Sequence, residues 1–393
     1  MDILKRALEV ESEMIDIRRK IHANPELRLM EYETTALIEA ELQKYGIVTN
    51  RYGLKTGVVG ILTGDKPGKT IAVRADIDAL QLQEETNLDF ASKNDGICHG
   101  CGHDIHTATV LTCARLMSEM KSEINGTVKF IFQPAEEGSG GAKLMVKNGA
   151  LDNPKVDVII AAHTWPEIPG GTIGVRKGPF MAGADRFKIK VIGKGGHAAH
   201  PHKSVDPVVI SAYILTQLQT IVSRETSPLD SIVITVGKIS AGSAANIIPS
   251  EAIMEGTVRT VNKETRKKAR ESIERMAKLT AESMNAKAEI EYLVGGPPVV
   301  CDGNIVDLIC AAAVEILGEE KLVHLETPSM GSEDFAEYLE KVPGALFRIG
   351  TTNELPESKL PLHNSKTIFD EKAIIAGAAT MCGTIFKFLN EGH

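Results

Sequence analysis

The sequence predicts an α/β fold: a mostly parallel central sheet flanked by helices, carrying an inserted ferredoxin-like α+β domain. Three observations predict it. From about residue 56, short β-branched runs alternate with helical segments, the pattern of parallel strands joined by helical crossovers. Between about 183 and 293 the order becomes β-α-β-β-α-β, that of the ferredoxin-like unit. After "GGPP" at 295–298 the alternation resumes, so the middle segment reads as an insertion. The outer domain is therefore expected at 1–182 and 294–393 and the insert at 183–293. A chain of 393 residues is long enough for both, at roughly 150 residues per domain.

Taken in order, residues around 3–21 and 32–45 place Leu, Ile and Met at helical intervals, separated by the turn signal "ANPELR". "TGVVGILTG" and "KTIAVRAD" read as strands, and "DIHTATVLTCARLMSEMK" as a helix. "GTVKFIFQ" is a strand, "GGAKLMVKNGAL" a short helix ending at glycine, and "VDVIIAAH" a strand. In the insert, "RFKIKVIG" alternates as a half-buried strand, and "DPVVISAYILTQLQTIV" is a helix started by Asp206 and Pro207. "SIVITVGKIS" and "SEAIMEGTVRT" are strands, followed by a long charged helix and the closing strand "KAEIEYL". The last part holds a helix near 303–317, the strand "GALFRIG" and a helix from about 370 to 389.

Composition narrows the function. Hydrophobic residues at 43% and charged residues at 24% describe a globular chain. A net charge of −8 with no Lys/Arg block argues against nucleic acid as a partner. The first residues carry charges throughout and no unbroken apolar run has membrane-spanning length, so no membrane partner and a cytoplasmic location are expected. Six unevenly spaced cysteines do not make a secreted disulfide framework, and reduced thiols are the expectation.

Chemistry-bearing residues collect at predicted strand ends. The strand at 70–75 runs into Asp76 and Asp78, that at 127–132 into Glu136 and Glu137, and that at 156–162 into His163. In open parallel sheets ligands sit outside the carboxyl ends of the strands, so these groups converge on one crevice. "CHGCGHDIH" at 98–106 precedes a helix of the same domain. On its own it reads three ways: half a zinc knuckle, a Cys-x-x-Cys redox pair, or one corner of an active site. A knuckle needs a second compact Cys/His pair, which is lacking, and a redox pair belongs at the start of a helix beside a thioredoxin-like unit.

The segments "RRKIHANPEL", "RADIDAL", "HGCGHDIHTA", "FQPAEEGSGGA", "GKGGHAAHPH", "ANIIPSEA", "EGTVRT" and "MGSEDFA" occur in this order across roughly 10–390. The set closely resembles the amidohydrolase branch of the aminoacylase and carboxypeptidase superfamily. That branch holds N-acyl-amino-acid amidohydrolases, hippurate hydrolases, N-acetyldiaminopimelate deacetylases and plant auxin-conjugate hydrolases. The resemblance implies a metal-dependent amidohydrolase acting on an N-acyl-L-amino acid. A carboxypeptidase on short or blocked peptides, a diaminopimelate deacetylase, and an inactive metal-binding protein are the alternatives.

Position by position, the resemblance implies Cys101, His103, Glu137, His163 and His363 as ligands of two divalent transition-metal ions per subunit. Zinc, manganese, cobalt and nickel all suit such a set. Cys101 is implied to bridge the ions, with Glu137 and His363 on one and His103 and His163 on the other. Asp76 stands where relatives outside this branch carry a ligand histidine, and His103 is implied to take over that role. Asp78 is implied to orient a ligand through a hydrogen bond. Asp104 and His106 are expected as supporting residues at the helix start. Glu136 is implied as general base, taking a proton from water and returning it to the leaving amine. From the insert, His197 is implied to reach the active site of the partner subunit and stabilise the oxyanion there, and Asn246 and Arg259 to contact substrate, Arg259 by gripping the substrate's free carboxylate. The insert is implied to act as lid and dimerisation domain of a homodimer.

Overall fold

Strand Asn125–Gln133 is buried at every position after its first, and Gly344–Thr352 at every position before its last. Burial without alternation means that both faces of these strands are covered, the signature of the centre of an α/β sheet. The structure, a computed structural model, describes residues 2–138 and 140–390. The chain divides into two compact units: Met1–Gly178, Cys301–Glu326 and Glu337–His393 in one, Pro179–Val300 and Thr327–Ala336 in the other.

The first unit holds an eight-stranded sheet, in the order Val48–Asn50, Val58–Thr63, Asn125–Gln133, Lys66–Asp76, Val158–Pro169, Gly344–Thr352, Ile173–Val175, Leu322–His324. From Asn125–Gln133 through Gly344–Thr352, neighbouring strands are parallel. Antiparallel pairs appear only toward the edges, so the sheet is mixed with a parallel centre. Helices His103–Glu119, Gly303–Leu317 and Lys372–Asn390 pack on the sheet and one another. Lys372–Asn390 has the length and apolarity of a membrane span, but 83% of that stretch is buried inside the protein, as in a core helix. The first predicted helix is broken in two, Ile3–Glu9 and Glu11–Ala23.

One register detail positions the site. Pairing of Val158–Pro169 with Lys66–Asp76 ends at Ala161, whereas its pairing with Gly344–Thr352 continues to Pro169. His163 therefore does not end its strand, as its sequence suggests, but lies two residues past its last pair with Lys66–Asp76.

In the second unit Gly183–Ile192 alternates between buried and accessible positions, as in a sheet covered on one face. Its four strands run Ile232–Ala241, Glu251–Thr260, Gly183–Ile192, Lys287–Leu293, all antiparallel. With helices Pro207–Thr220 and Lys263–Ser283 this is the β-α-β-β-α-β order. Phe187, Ile189 and Val191 of the sheet meet Ile210, Ile214 and Leu218 of one helix and Ile273, Ala277 and Ala281 of the other. The Asp206 carboxylate accepts from the Val208 and Val209 N–H groups, capping the helix that Pro207 opens. Segment 327–336 groups with this unit because the Ala182 N–H donates to the carbonyls of Ser329 and Gly331.

Candidate active site

Helix His103–Glu119 starts on Gly102, whose φ of +84° and whose nearness to Thr164 both demand glycine. A Cβ there would lie 2.7 Å from the Thr164 methyl. The turn delivers Cys101, His103, Asp104 and His106 into the interior, where all four are buried. Thr164 ties this turn to the strand bearing His163. Its hydroxyl donates to Cys101 O at 2.7 Å, its N–H donates to His106 Nε2 at 2.8 Å, and its carbonyl accepts from His163 Nδ1 at 2.8 Å.

These bonds set the ring tautomers. A carbonyl can only accept, so His163 carries its proton on Nδ1 and turns the Nε2 lone pair toward Cys101 Sγ, 3.6 Å away. His103 likewise donates from Nδ1 to Asp78 O at 2.8 Å. His106 accepts at Nε2 and donates from Nδ1 to Asp76 Oδ1 at 2.5 Å. Arg74 donates to the other Asp76 oxygen at 2.8 Å, so Asp76 is occupied by an arginine and a histidine. The Asp78 carboxylate accepts from the backbone N–H of Glu136 and of Glu137, at 3.0 Å each.

Beside the group Asp76, His103 and His106, two further groups have ligand atoms within 4.8 Å of one another: Cys101, His103 and His163, and Cys101, Glu137 and His363. Cys101 belongs to both. Glu136 and Glu137 also gather with His103 by the same measure. His363 reaches the site from a left-handed turn (φ +63°), with its N–H donated to Gly100 O at 2.9 Å and its side chain half exposed.

The donor atoms fit metal ions. His103 Nε2 and Glu137 Oε1 are buried without a hydrogen bond, although His363 Nε2 lies 3.2 Å from that oxygen in a poorly aligned geometry. Buried polar atoms left unmatched are costly, and a cation would satisfy both. Imidazoles, a thiol and a carboxylate suit transition metals rather than magnesium or calcium. Burial pushes the Cys101 thiol up to about 12, so it is neutral at pH 7 until a cation draws off its proton. Burial, with His106 and Arg348 nearby, holds His163 well below the usual histidine range, which keeps it the neutral base that a ligand must be. Burial opposes charge on His103, but the Asp76 carboxylate and the hydrogen bond to Asp78 outweigh it and raise its pKa. Binding a metal there therefore expels a proton.

The remaining predicted residues lie in the second unit. His197 is exposed on the short ladder of Gly196–His197 with Ile247–Ile248, directly opposite Ile247, so Asn246 lies beside it. The Ala198 N–H donates to Asn246 O at 3.1 Å. Arg259 is half-buried and donates to Met330 O at 3.1 Å. Thr164 is the residue that sequence reasoning missed. Nothing in its sequence surroundings marks it, because its bonds go to Cys101 and His106, far away in the chain.

A buried thiol, three imidazoles and a carboxylate at the end of a parallel sheet, with a second glutamate beside them, define a metal-dependent amide hydrolase. Residues 72–387 match Peptidase family M20/M25/M40, and the chain belongs to it. It is 41% identical over 367 residues (93% of this chain, 86% of the relative) to an N-acetyl-L-cysteine deacetylase of Bacillus subtilis (strain 168). It is 40% identical over 387 residues (98% and 97%) to thermostable carboxypeptidase 2 of Saccharolobus solfataricus. Among solved structures it resembles a dinuclear metal-binding peptidase of the M20 family from Bacillus subtilis, with TM-score 0.86, 38% identity, and 97% and 99% of the two chains covered.

Proposed function

We propose that the chain hydrolyses the amide bond of N-acyl-L-amino acids, giving a carboxylic acid and a free amino acid, with two metal ions in each subunit. The observation that carries this reading is the pair of ligand groups sharing Cys101, with Glu136 next to ligand Glu137. Cys101, His103 and His163 would hold one ion, and Cys101, Glu137 and His363 the other. When bound, the ions supply Lewis acidity toward the amide carbonyl and toward water.

The chain's own residues do the rest. Glu136, whose backbone N–H is fixed by Asp78, takes a proton from the attacking water and returns it to the leaving amine. Arg259 holds the substrate carboxylate by paired hydrogen bonds, Asn246 contacts the substrate, and His197 donates to the oxyanion developing in the partner subunit's site. Val208, Val209 and Tyr213 leave an apolar outer face on helix Pro207–Thr220, which supports a homodimer formed through the second unit. All six cysteines are free thiols, in keeping with a cytoplasmic location.

A carboxypeptidase on short peptides is the second reading, favoured by the likeness to the Saccharolobus enzyme over 98% of this chain. A hydrolysis panel of acetyl, benzoyl, indoleacetyl and peptidyl amino acids decides between them. The enzyme is stripped of metal and restored separately with zinc, manganese, cobalt or nickel. Faster release from acyl amino acids supports the proposal, and faster release from peptides supports the second reading. N-acyl amines lacking the carboxylate are expected to be far poorer substrates, and equal turnover would remove Arg259 from its role.

A further inference from the structure

Glu31 is wholly buried, yet nothing described so far employs it. It stands at the N-cap position of helix Tyr32–Lys44 but makes no cap there. Capping falls to Glu26, whose two oxygens accept from the Glu33 N–H at 3.1 Å and the Thr34 N–H at 2.8 Å. Glu31 instead crosses 104 positions of sequence, and its Oε1 accepts from the backbone N–H of Ala135 at 2.9 Å.

Ala135 is the residue just before the two active-site glutamates, and it is left-handed, with φ +57°. For a residue with a Cβ that conformation costs roughly 1–2 kcal/mol, so something must hold it. The next two N–H groups, of Glu136 and Glu137, end on Asp78. Three successive amides thus terminate on two buried carboxylates brought in from distant segments. From the opposite side the Arg28 guanidinium donates to Glu137 O at 2.5 Å, and the Gly141 N–H donates to Ala135 O at 3.1 Å. Leu29, between Arg28 and Glu31, is left-handed too, with φ +62°. The turn 27–32 is thereby clasped to the turn 134–138 at both ends, through Arg28 and Glu31.

Such a clasp matters because Glu136 and Glu137 are neighbours with different tasks. One must face the metals and the other the reacting water, and a backbone free to rock would exchange or blur those directions. Reactive groups are effective only when supporting residues hold them in place, and a misplacement of about 1 Å costs on the order of a hundredfold in rate. We propose that Glu31 is a positioning residue for Glu136: its carboxylate holds Ala135 in the left-handed turn that aims the base, and Arg28 steadies the same turn from the Glu137 carbonyl. This rests on the reading of Glu136 as general base.

The test is steady-state hydrolysis of the best acyl amino acid by the metal-loaded enzyme. Glu31→Leu fills the space without an acceptor and is expected to lower kcat about 10- to 100-fold. KM and metal content are expected to stay within about twofold. Glu31→Gln keeps a carbonyl oxygen for Ala135 and is expected to recover most of the rate. Arg28→Ala, at an exposed position, is expected to lower kcat about threefold with melting temperature unchanged. In a Glu136→Gln background, Glu31→Leu is expected to leave the residual rate unaltered, because Glu31 acts through Glu136. Full kcat in Glu31→Leu, or loss of metal and melting temperature in step with activity, would overturn the proposal. So would a further loss in the double variant. Wild-type turnover in Glu136→Gln alone would instead count against the base assignment.

Discussion

Two histidine-rich stretches of this chain, "CHGCGHDIH" at 98–106 and "GGHAAHPH" at 195–202, look alike on paper and differ in kind once folded. In the first, His99, His103 and His106 are buried, and the Asp76 carboxylate, the Asp78 carbonyl and the Thr164 N–H set the directions of the His103 and His106 rings. In the second, His197, His200 and His202 are exposed and lie against one another, with ring centroids 5.6 and 6.0 Å apart. The first stretch is a preorganised corner of a site, with its orientation energy already spent in folding. The second is a set of exposed rings held by few bonds, among them the Ala199 N–H donated to His197 Nδ1 at 3.1 Å.

Four experiments break or sharpen this contrast. The largest effect belongs to Cys101→Ser, which is expected to reduce hydrolysis to background. Cys98→Ser, in the same stretch, is expected to remain within about twofold of wild type, because the buried Cys98 thiol belongs to neither ligand group. Equal loss in both would revive a Cys-x-x-Cys role. Next comes Glu136→Gln, expected to lose about a hundred- to ten-thousandfold in kcat with metal content intact, measured by initial rates and elemental analysis. Smaller again is Thr164→Val, which removes the hydroxyl bonded to Cys101 O. Metal affinity by competition with a chelator is expected to fall about 10- to 100-fold, and Thr164→Ser to restore it.

The smallest effect concerns stability in the second unit. Burial opposes charge on Asp185, but Arg266, the Gly295 N–H and the Tyr292 hydroxyl outweigh it and lower its pKa. A depressed carboxyl contributes stability that is present above its unfolded value and lost as pH falls through its folded one. Melting temperature is therefore expected to drop on acidification below about pH 4. Asp185→Asn is expected to start lower at pH 7 and to change less across that window. Parallel curves for the two proteins would show that Asp185 carries no such linkage.

The legible parts of the fold were those with long periodic patterns. Strand Lys287–Leu293 and helix Gly303–Leu317 coincide with their sequence readings because each has both a clear period and clear turn signals at its ends. Three-residue strands such as Ile173–Val175 and Leu322–His324 carry too few residues for a period and went unseen. The break at Val10 is invisible because both halves share one apolar spacing. At the site, Glu137 and His163 were readable as polar residues at strand ends. His363 was readable only through family likeness, since it sits in a left-handed turn with no strand or helix to mark it. Thr164 and Glu31 were unreadable for another reason. Both act through hydrogen bonds to backbone groups of Cys101 and Ala135, and such partners are chosen by tertiary folding rather than by neighbours in sequence.

The central claim is that Cys101 is shared by two metal positions. Native mass spectrometry of the metal-loaded enzyme, beside Cys101→Ser and His163→Ala, counts the ions directly. Two ions per chain in the wild type, one in His163→Ala and none held tightly in Cys101→Ser are the expected result. A single ion in the wild type, or two ions retained without the Cys101 thiol, would contradict it.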